Sequence, residues 1–193
     1  TIEDPIEHIY RHDKAMIHQR EVGTDVSDFA TALRSALRED PDVIMVGEMR
    51  DYETISAAIA AAETGHLVLA TLHTTSAAQT VERIIDGCPV DAQNQTRIQL
   101  ANVLRGVITQ ILIKREKGNG RACATEIMLN STAVANSIRD DKLHQIPNTM
   151  QASIQMGMHT LNYDLARLVR EGQISKEAAR RNTTNVAELE NMF

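Results

Sequence analysis

Aromatic side chains are scarce in this chain: two Phe, three Tyr and no Trp, together 3% of the residues. Grooves that hold single-stranded nucleic acid by stacking bases on rings need more than that. A basic excess is missing as well. Lys and Arg number 20 against 26 Asp and Glu, a formal net charge of −6, so no nucleic-acid partner is expected. Cysteine is limited to Cys88 and Cys123, far apart and outside any C-x-x-C. That argues against a disulfide framework and a structural metal site, and it fits a reducing cytoplasm. No apolar run approaches the roughly 18 residues of a membrane helix, and residues 1–5 do not read as a signal peptide. Direct membrane insertion is therefore not expected. What remains suffices for a packed core, with 193 residues of which 42% are hydrophobic and 24% charged. The chain opens inside a strand-like stretch with acidic residues at once, so a start within a longer protein is expected.

The hydrophobic pattern predicts alternating strands and helices. Residues 15–22 read as a short strand. Asp25 or Ser27 is placed to cap a helix carrying Phe29, Ala30, Leu33, Ala36 and Leu37 on one stripe, and Asp40-Pro41 stops it. Val43 to Val46 and Leu67 to Ala70 are continuous apolar runs, the pattern of strands buried on both faces. Ile55, Ala58, Ile59 and Ala62 mark the helix between them, ended by Gly65. Val81, Ile84 and Ile85 mark a short helix, and Ile98, Ala101, Leu104 and Ile108 a longer one. Residues 111–115 and 122–129, joined through a glycine-rich connection, read as a β-hairpin. From Thr132 onward the pattern is helical. The fold class expected is α/β, with residues 1–129 forming the core and residues 130–193 a helical C-terminal region.

Chemistry concentrates at three places. Glu48 emerges at the C-terminal end of the apolar run 43–46, and in open parallel sheets ligands bind at that end. A carboxylate there can orient a water that attacks a γ-phosphate. The same pattern also describes a buried strand running into a solvated turn. Glu3, Asp4 and Glu7 cluster about Pro5, where they can gather around a cation or a water, or simply form a charged surface turn. His66 and His73 flank the run 67–70, with Thr71 and Thr74 following it. A histidine there can donate to a phosphate oxygen, or serve as an ordinary hydrogen-bonded side chain. His8 and His12 have helical metal-ligand spacing, which the turn at Pro5 disfavours. Arg34 and Arg38 sit four apart on one predicted helix face, and Arg20, Arg50 and Arg83 lie near the other motifs. Each is a candidate for stabilising phosphoryl charge across a subunit boundary, or for an ordinary surface ion pair.

Taken together, in this order and spacing, the motifs resemble those of the type II/type IV secretion ATPases. Residues 1–7 resemble the family's Asp box, residues 43–51 its atypical Walker B motif (with Gly47 where an Asp is common), and residues 65–74 its His box. Residues 133–142 are similar to the helical signature of pilus retraction motors, the PilT-like proteins, with Ala135 and Ser137 where an arginine and a leucine are usual. The two isolated cysteines cannot build the four-cysteine metal module typical of type II secretion ATPases. The resemblance implies the C-terminal part of a RecA-like P-loop ATPase core followed by a helical region. It implies catalysis through Glu48, with Glu7, Glu3 and Asp4 shaping the magnesium and water environment. His73, His66 and Thr71 would contact or sense phosphate. It further implies ATP and Mg2+ as ligands, a homohexameric motor for type IV pilus retraction, an inner-membrane pilus platform protein as partner, and a place at the cytoplasmic face of that membrane. Pilus assembly, type II secretion or a non-catalytic docking module are the other roles such a chain fills.

A phosphate-binding loop needs Gly-x-x-x-x-Gly-Lys-Ser/Thr, whose backbone amides and lysine cradle the phosphates. No Gly-Lys dipeptide occurs in these 193 residues. The chain by itself is therefore expected neither to hydrolyse ATP nor to bind it with micromolar affinity. Calorimetric titration with a magnesium–ATP analogue checks this, and micromolar binding is the result that overturns it.

Overall fold

The structure, a computed structural model, describes every residue from Thr1 to Phe193. Its first unit comprises Thr1–His73 and Arg83–Val103, and its second Thr74–Glu82 and Leu104–Phe193. The first holds a four-stranded parallel sheet in the order β2-β1-β3-β4, built from Ile2–Glu3 (β1), Arg20–Glu21 (β2), Val43–Val46 (β3) and Leu67–Ala70 (β4). Helices α1 (Phe29–Ala36) and α2 (Tyr52–Glu63) supply the crossovers. Because every strand runs the same way, the C-terminal ends of β1, β3 and β4 lie side by side.

Capping fixes where the crossover helices begin. Asp28, rather than Asp25 or Ser27, accepts from the Thr31 N–H at 2.7 Å to start α1. The hydrogen bond from the Ser27 hydroxyl, and then those from Thr31, hold the Asp28 carboxyl below the usual aspartate range. Asp51 starts α2 by accepting from the Thr54 N–H at 2.8 Å and its hydroxyl at 3.0 Å. At the far end of α2, Gly65 takes a φ of +103°, a conformation that costs a side-chain-bearing residue far more. One buried cluster joins the layers: Ile2, Ala32, Leu33, Ile44, Val46, Ala58 and Ala61.

The runs 43–46 and 67–70 form strands but are not buried on both faces. Ile44 and Val46 are covered by the helices, whereas Val43, Leu67 and Leu69 on the opposite face are 48–52% exposed. A continuous apolar run encodes cover on two sides. The helices of this chain cover one. Three further expectations shift. Residues 15–22 contain only the two-residue strand β2. Helix α1 ends at Ala36, and Asp40 takes a left-handed φ of 54° before Pro41. Helix α4 (Val90–Val103) stops short of Leu104, with Ile108 lying in a strand.

The second unit is built on an antiparallel hairpin, β5 (Gly106–Lys114) and β6 (Arg121–Leu129), paired from Gly106↔Leu129 to Lys114↔Arg121. Strand β5 therefore begins five residues earlier than the sequence pattern suggests. Helix α3 (Ala77–Asp86) has its residues up to Glu82 in this unit and the rest in the first, which also holds α4, and helices α5 (Thr132–Arg139), α6 (Ile146–Ala152), α7 (Leu161–Arg170), α8 (Lys176–Arg181) and α9 (Val186–Glu190) follow the hairpin. Ile113, Ala122 and Ala124 on its inner face pack with Leu165, Leu168, Ile174, Ala179 and Leu189. The division between residues 129 and 130 thus falls inside this unit, because the hairpin packs with the helices after it. In α5, Val134 and Ile138 share the buried face, as their spacing of four implies.

Two stability predictions come from this unit. Helix α5 ends in a Schellman motif, in which Lys142 N–H donates to Ser137 C=O at 2.8 Å and Asp141 N–H to Ile138 C=O at 3.3 Å. Asp141 there has φ 60°, the position glycine favours. Asp141→Gly should raise stability by about 0.5 kcal/mol, read from the urea midpoint, and a lower midpoint contradicts this. Asp164 is buried and accepts from Arg167 Nε at 2.6 Å and Thr125 N–H at 2.8 Å. Burial works against its charge, but these bonds outweigh it and hold the carboxyl below the usual aspartate range. A depressed folded value makes its contribution fully present above the unfolded value of about 4 and lost as pH falls through the lower folded one. The parent should therefore lose more stability between about pH 5 and pH 2 than Asp164→Asn does, and equal losses in urea titrations refute the assignment.

Candidate active site

A cleft of about 390 Å³ opens where β1, β3 and β4 end, lined by Glu3, Asp4, Glu7, Phe29, Met45, Gly47, Glu48, Arg50, Thr71 and His73. All three sequence motifs reach it, for the topological reason already given. The fit of β1 against β3 also needs a small residue. Gly47 N–H donates to Ile2 C=O at 2.7 Å, and a Cβ on Gly47 would stand 3.0 Å from that oxygen and 3.2 Å from Glu3 Cα. Glycine at this position lets the acidic segment approach the strand that carries Glu48.

Glu48 is the centre of the cleft's electrostatics. Its side chain is 17% exposed, with Oε2 2.6 Å from Arg50 Nη2 and Oε1 3.1 Å from His73 Nε2. The Arg50 hydrogen bond, first, and then its charge hold the Glu48 carboxyl below the usual glutamate range and raise the arginine correspondingly. A carboxylate only accepts, so His73 Nε2 carries the proton in this contact. Thr71 is tied in from below: its hydroxyl donates to Gly47 C=O, and its own carbonyl accepts from Met49 N–H at 3.3 Å.

The acidic segment is braced by side chains that the sequence patterns do not single out. Glu3 is buried, and its Oε1 accepts from the Thr1 hydroxyl at 2.5 Å and the Gln19 amide at 3.0 Å. Gln19 also accepts from Tyr10 N–H and donates to His8 C=O, while Glu21 accepts from Ile6 N–H. Asp4 and Glu7 are exposed at the rim. The residues from Pro5 to Gln19 form no helix, so His8 and His12 lack metal-ligand spacing, and His12 Nδ1 accepts from Ile17 N–H instead.

Other candidates lie elsewhere. His66 sits at the opposite end of β4, its ring bonded to Ala61 C=O at 3.0 Å and to the Thr64 hydroxyl at 3.1 Å, where it finishes α2. The motif's two histidines are thus separated by the strand's length, and only His73 reaches the cleft. Of the arginines, only Arg50 lines it. Arg20 pairs with Glu39. Arg34 reaches Thr31 on its own helix at 3.3 Å, Arg38 follows the end of α1 and is not on its face, and Arg83 is exposed on α3. No three His, Cys, Asp or Glu side chains converge as a metal cage. The donor set suits instead a cation such as magnesium, which takes one or two carboxylates and draws its remaining ligands from water and substrate phosphates.

The chain is similar to several known proteins. The chain is 51% identical over 185 residues to a protein named Twitching motility protein from Neisseria gonorrhoeae, covering 96% of this chain and 50% of that one. It is 52% identical over 180 residues to the Type IV pilus retractation ATPase PilT of Pseudomonas aeruginosa, covering 93% and 52%. A solved structure described as the pilus retraction motor PilT with bound ADP superposes with a TM-score of 0.88 at 48% identity, over 98% of this chain and 53% of that one. The chain thus spans about half the length of the relatives it matches. Residues 1–190 match the family described as Type II/IV secretion system protein, and the chain belongs to that family.

Proposed function

We propose that this chain carries the water-orienting and phosphate-sensing side of an ATP-hydrolysing motor for type IV pilus retraction. The observation that supports it most directly is Glu48 held between Arg50 and His73 at the adjoining ends of β3 and β4, facing the acidic end of β1. Arg50 keeps the Glu48 carboxylate charged, so its chemistry is to accept hydrogen bonds from a water and aim it, and its affinity for a proton is low. Arg50 and His73 are also the cleft's donors to anions. A γ-phosphate arriving there competes with Glu48 for both, and in doing so frees the carboxylate for the attacking water. Loss of that phosphate restores the Glu48 contacts, which gives His73 two positions according to nucleotide state. Magnesium on the phosphates would supply charge neutralisation, with Glu3, Asp4 and Glu7 holding its waters.

The phosphate cradle itself must come from a Gly-Lys loop outside these residues. Retraction is supported by the identity to the twitching-motility and retraction proteins. A homohexamer acting on an inner-membrane platform protein from the cytoplasmic side completes the reading.

In the full-length protein, Glu48→Gln keeps shape and removes charge. Turnover should fall at least about 100-fold, or roughly 2.7 kcal/mol, while the nucleotide Kd stays within about threefold. Turnover within threefold of the parent, about 0.6 kcal/mol, would show that another group orients the water.

A further inference from the structure

The segment that carries Glu7 has little of its own to hold it in place. Between β1 and β2 it forms no helix or strand. Residues 7–16 are exposed throughout, with Ile9 at 80% and Met16 at 79%, so no buried side chain anchors them. The main chain does not anchor them either, since no backbone–backbone hydrogen bond involves residues 5–17. Two side chains at β2 fill that gap. Glu21 Oε2 accepts from Ile6 N–H at 3.0 Å. Gln19 Oε1 accepts from Tyr10 N–H at 2.8 Å, and Gln19 Nε2 donates to His8 C=O at 2.9 Å. These three are the hydrogen bonds that tie residues 5–17 to the rest of the first unit, and they hold backbone groups on both sides of Glu7.

Gln19 does more than tether the loop. Its second N–H goes to Glu3 Oε1 at 3.0 Å, an oxygen that also accepts from the Thr1 hydroxyl. A side-chain amide offers one carbonyl oxygen and two N–H groups, and here all of them are used. Bonds to a charged acceptor are the stronger kind, so the link to Glu3 is the firmest of the set. Glu3 is 4% exposed, yet its Oε2 has no protein donor and keeps contact with solvent, on a residue that lines the cleft. One oxygen of this carboxylate is thus tied back, which leaves the other turned to whatever occupies the cleft. A single amide therefore sets the orientation of Glu3 and, through His8 and Tyr10, the path of the backbone that carries Glu7.

From these observations we infer that Gln19 is a positioning residue for Glu3 and Glu7. The inference rests on the reading of those carboxylates as holders of the waters around magnesium. Glutamate at 19 could still accept from Tyr10 N–H, but its second oxygen would face Glu3 Oε1 and His8 C=O, acceptor against acceptor. Methionine has similar length and removes all three bonds.

The test uses the full-length protein, with Mn2+ in place of magnesium and its Kd for the ADP-bound protein read by EPR titration. Gln19→Met should raise the Mn2+ Kd about tenfold, the scale on which outer-shell partners act, with the Kd for ADP in EDTA within about twofold of the parent. A merely structural role would weaken metal-free ADP binding as well. Gln19→Glu should show at least the same loss, and it supplies the test if Gln19→Met does not fold. In a background lacking both carboxylates, Glu3→Gln with Glu7→Gln, the change Gln19→Met should cost less than about twofold, because residues acting through one another are not additive. An equal fold-loss in both backgrounds, or a parental Mn2+ Kd in Gln19→Met, overturns the positioning role while leaving the cleft assignment intact. A parental Mn2+ Kd in the Glu3→Gln, Glu7→Gln protein overturns the reading of the acidic segment and the inference with it.

Discussion

The arrangement of the cleft depends on how closely β1 can lie against β3, and that distance is set at Gly47. Its N–H reaches Ile2 C=O, and the space a side chain would occupy is already taken by the backbone of residues 2 and 3. With the strands so close, Glu3 is drawn inward and buried, Asp4 and Glu7 are left at the rim, and Glu48 rises between them and His73. Parallel pairing of β3 with β4 in register, Val46 opposite Ala70, then places Thr71 beside Gly47. The chemistry is a consequence of strand spacing and direction before it is one of side-chain identity.

Electrostatically the cleft is a balanced set. A charged carboxylate partly removed from water needs partners, and Glu48 has two of different kinds. Arg50 is a permanent cation that lowers the carboxyl's affinity for protons. His73 is a donor whose side chain is mostly exposed, so few packing contacts hold it. This division leaves one partner fixed in charge and the other free to exchange, which suits a group that must distinguish two ligand states.

Much of this was legible in the residues. Apolar runs 43–46 and 67–70 located β3 and β4, and the spacing of Ile55, Ala58 and Ile59 located α2, because tight hydrophobic periodicity reports local structure directly. Glu48 and His73 were accessible from their places just past those runs. That His66 stands away from the cleft was not legible, because a sequence motif does not reveal that a four-residue strand separates its two histidines. The two-faced burial was misread because apolar composition encodes the need for cover, and the helices here cover one face only. Gln19 and Glu21 gave no signal, since Gln19 lies in a loop without periodicity and Glu21 in a strand of only two residues.

The uncovered side of the first sheet has a colloidal consequence. Strand β4 has a neighbour on one side only, and its Leu67 and Leu69 side chains are about half exposed beside Val43 on the adjacent strand. A free edge offers a row of unpaired amide and carbonyl groups, and apolar side chains next to it reward any extended segment that docks there. Neither a bulge nor a charged side chain interrupts β4 from Leu67 to Ala70. Solutions of the chain on its own should therefore self-associate as concentration rises, through backbone pairing at β4 and not through any specific recognition.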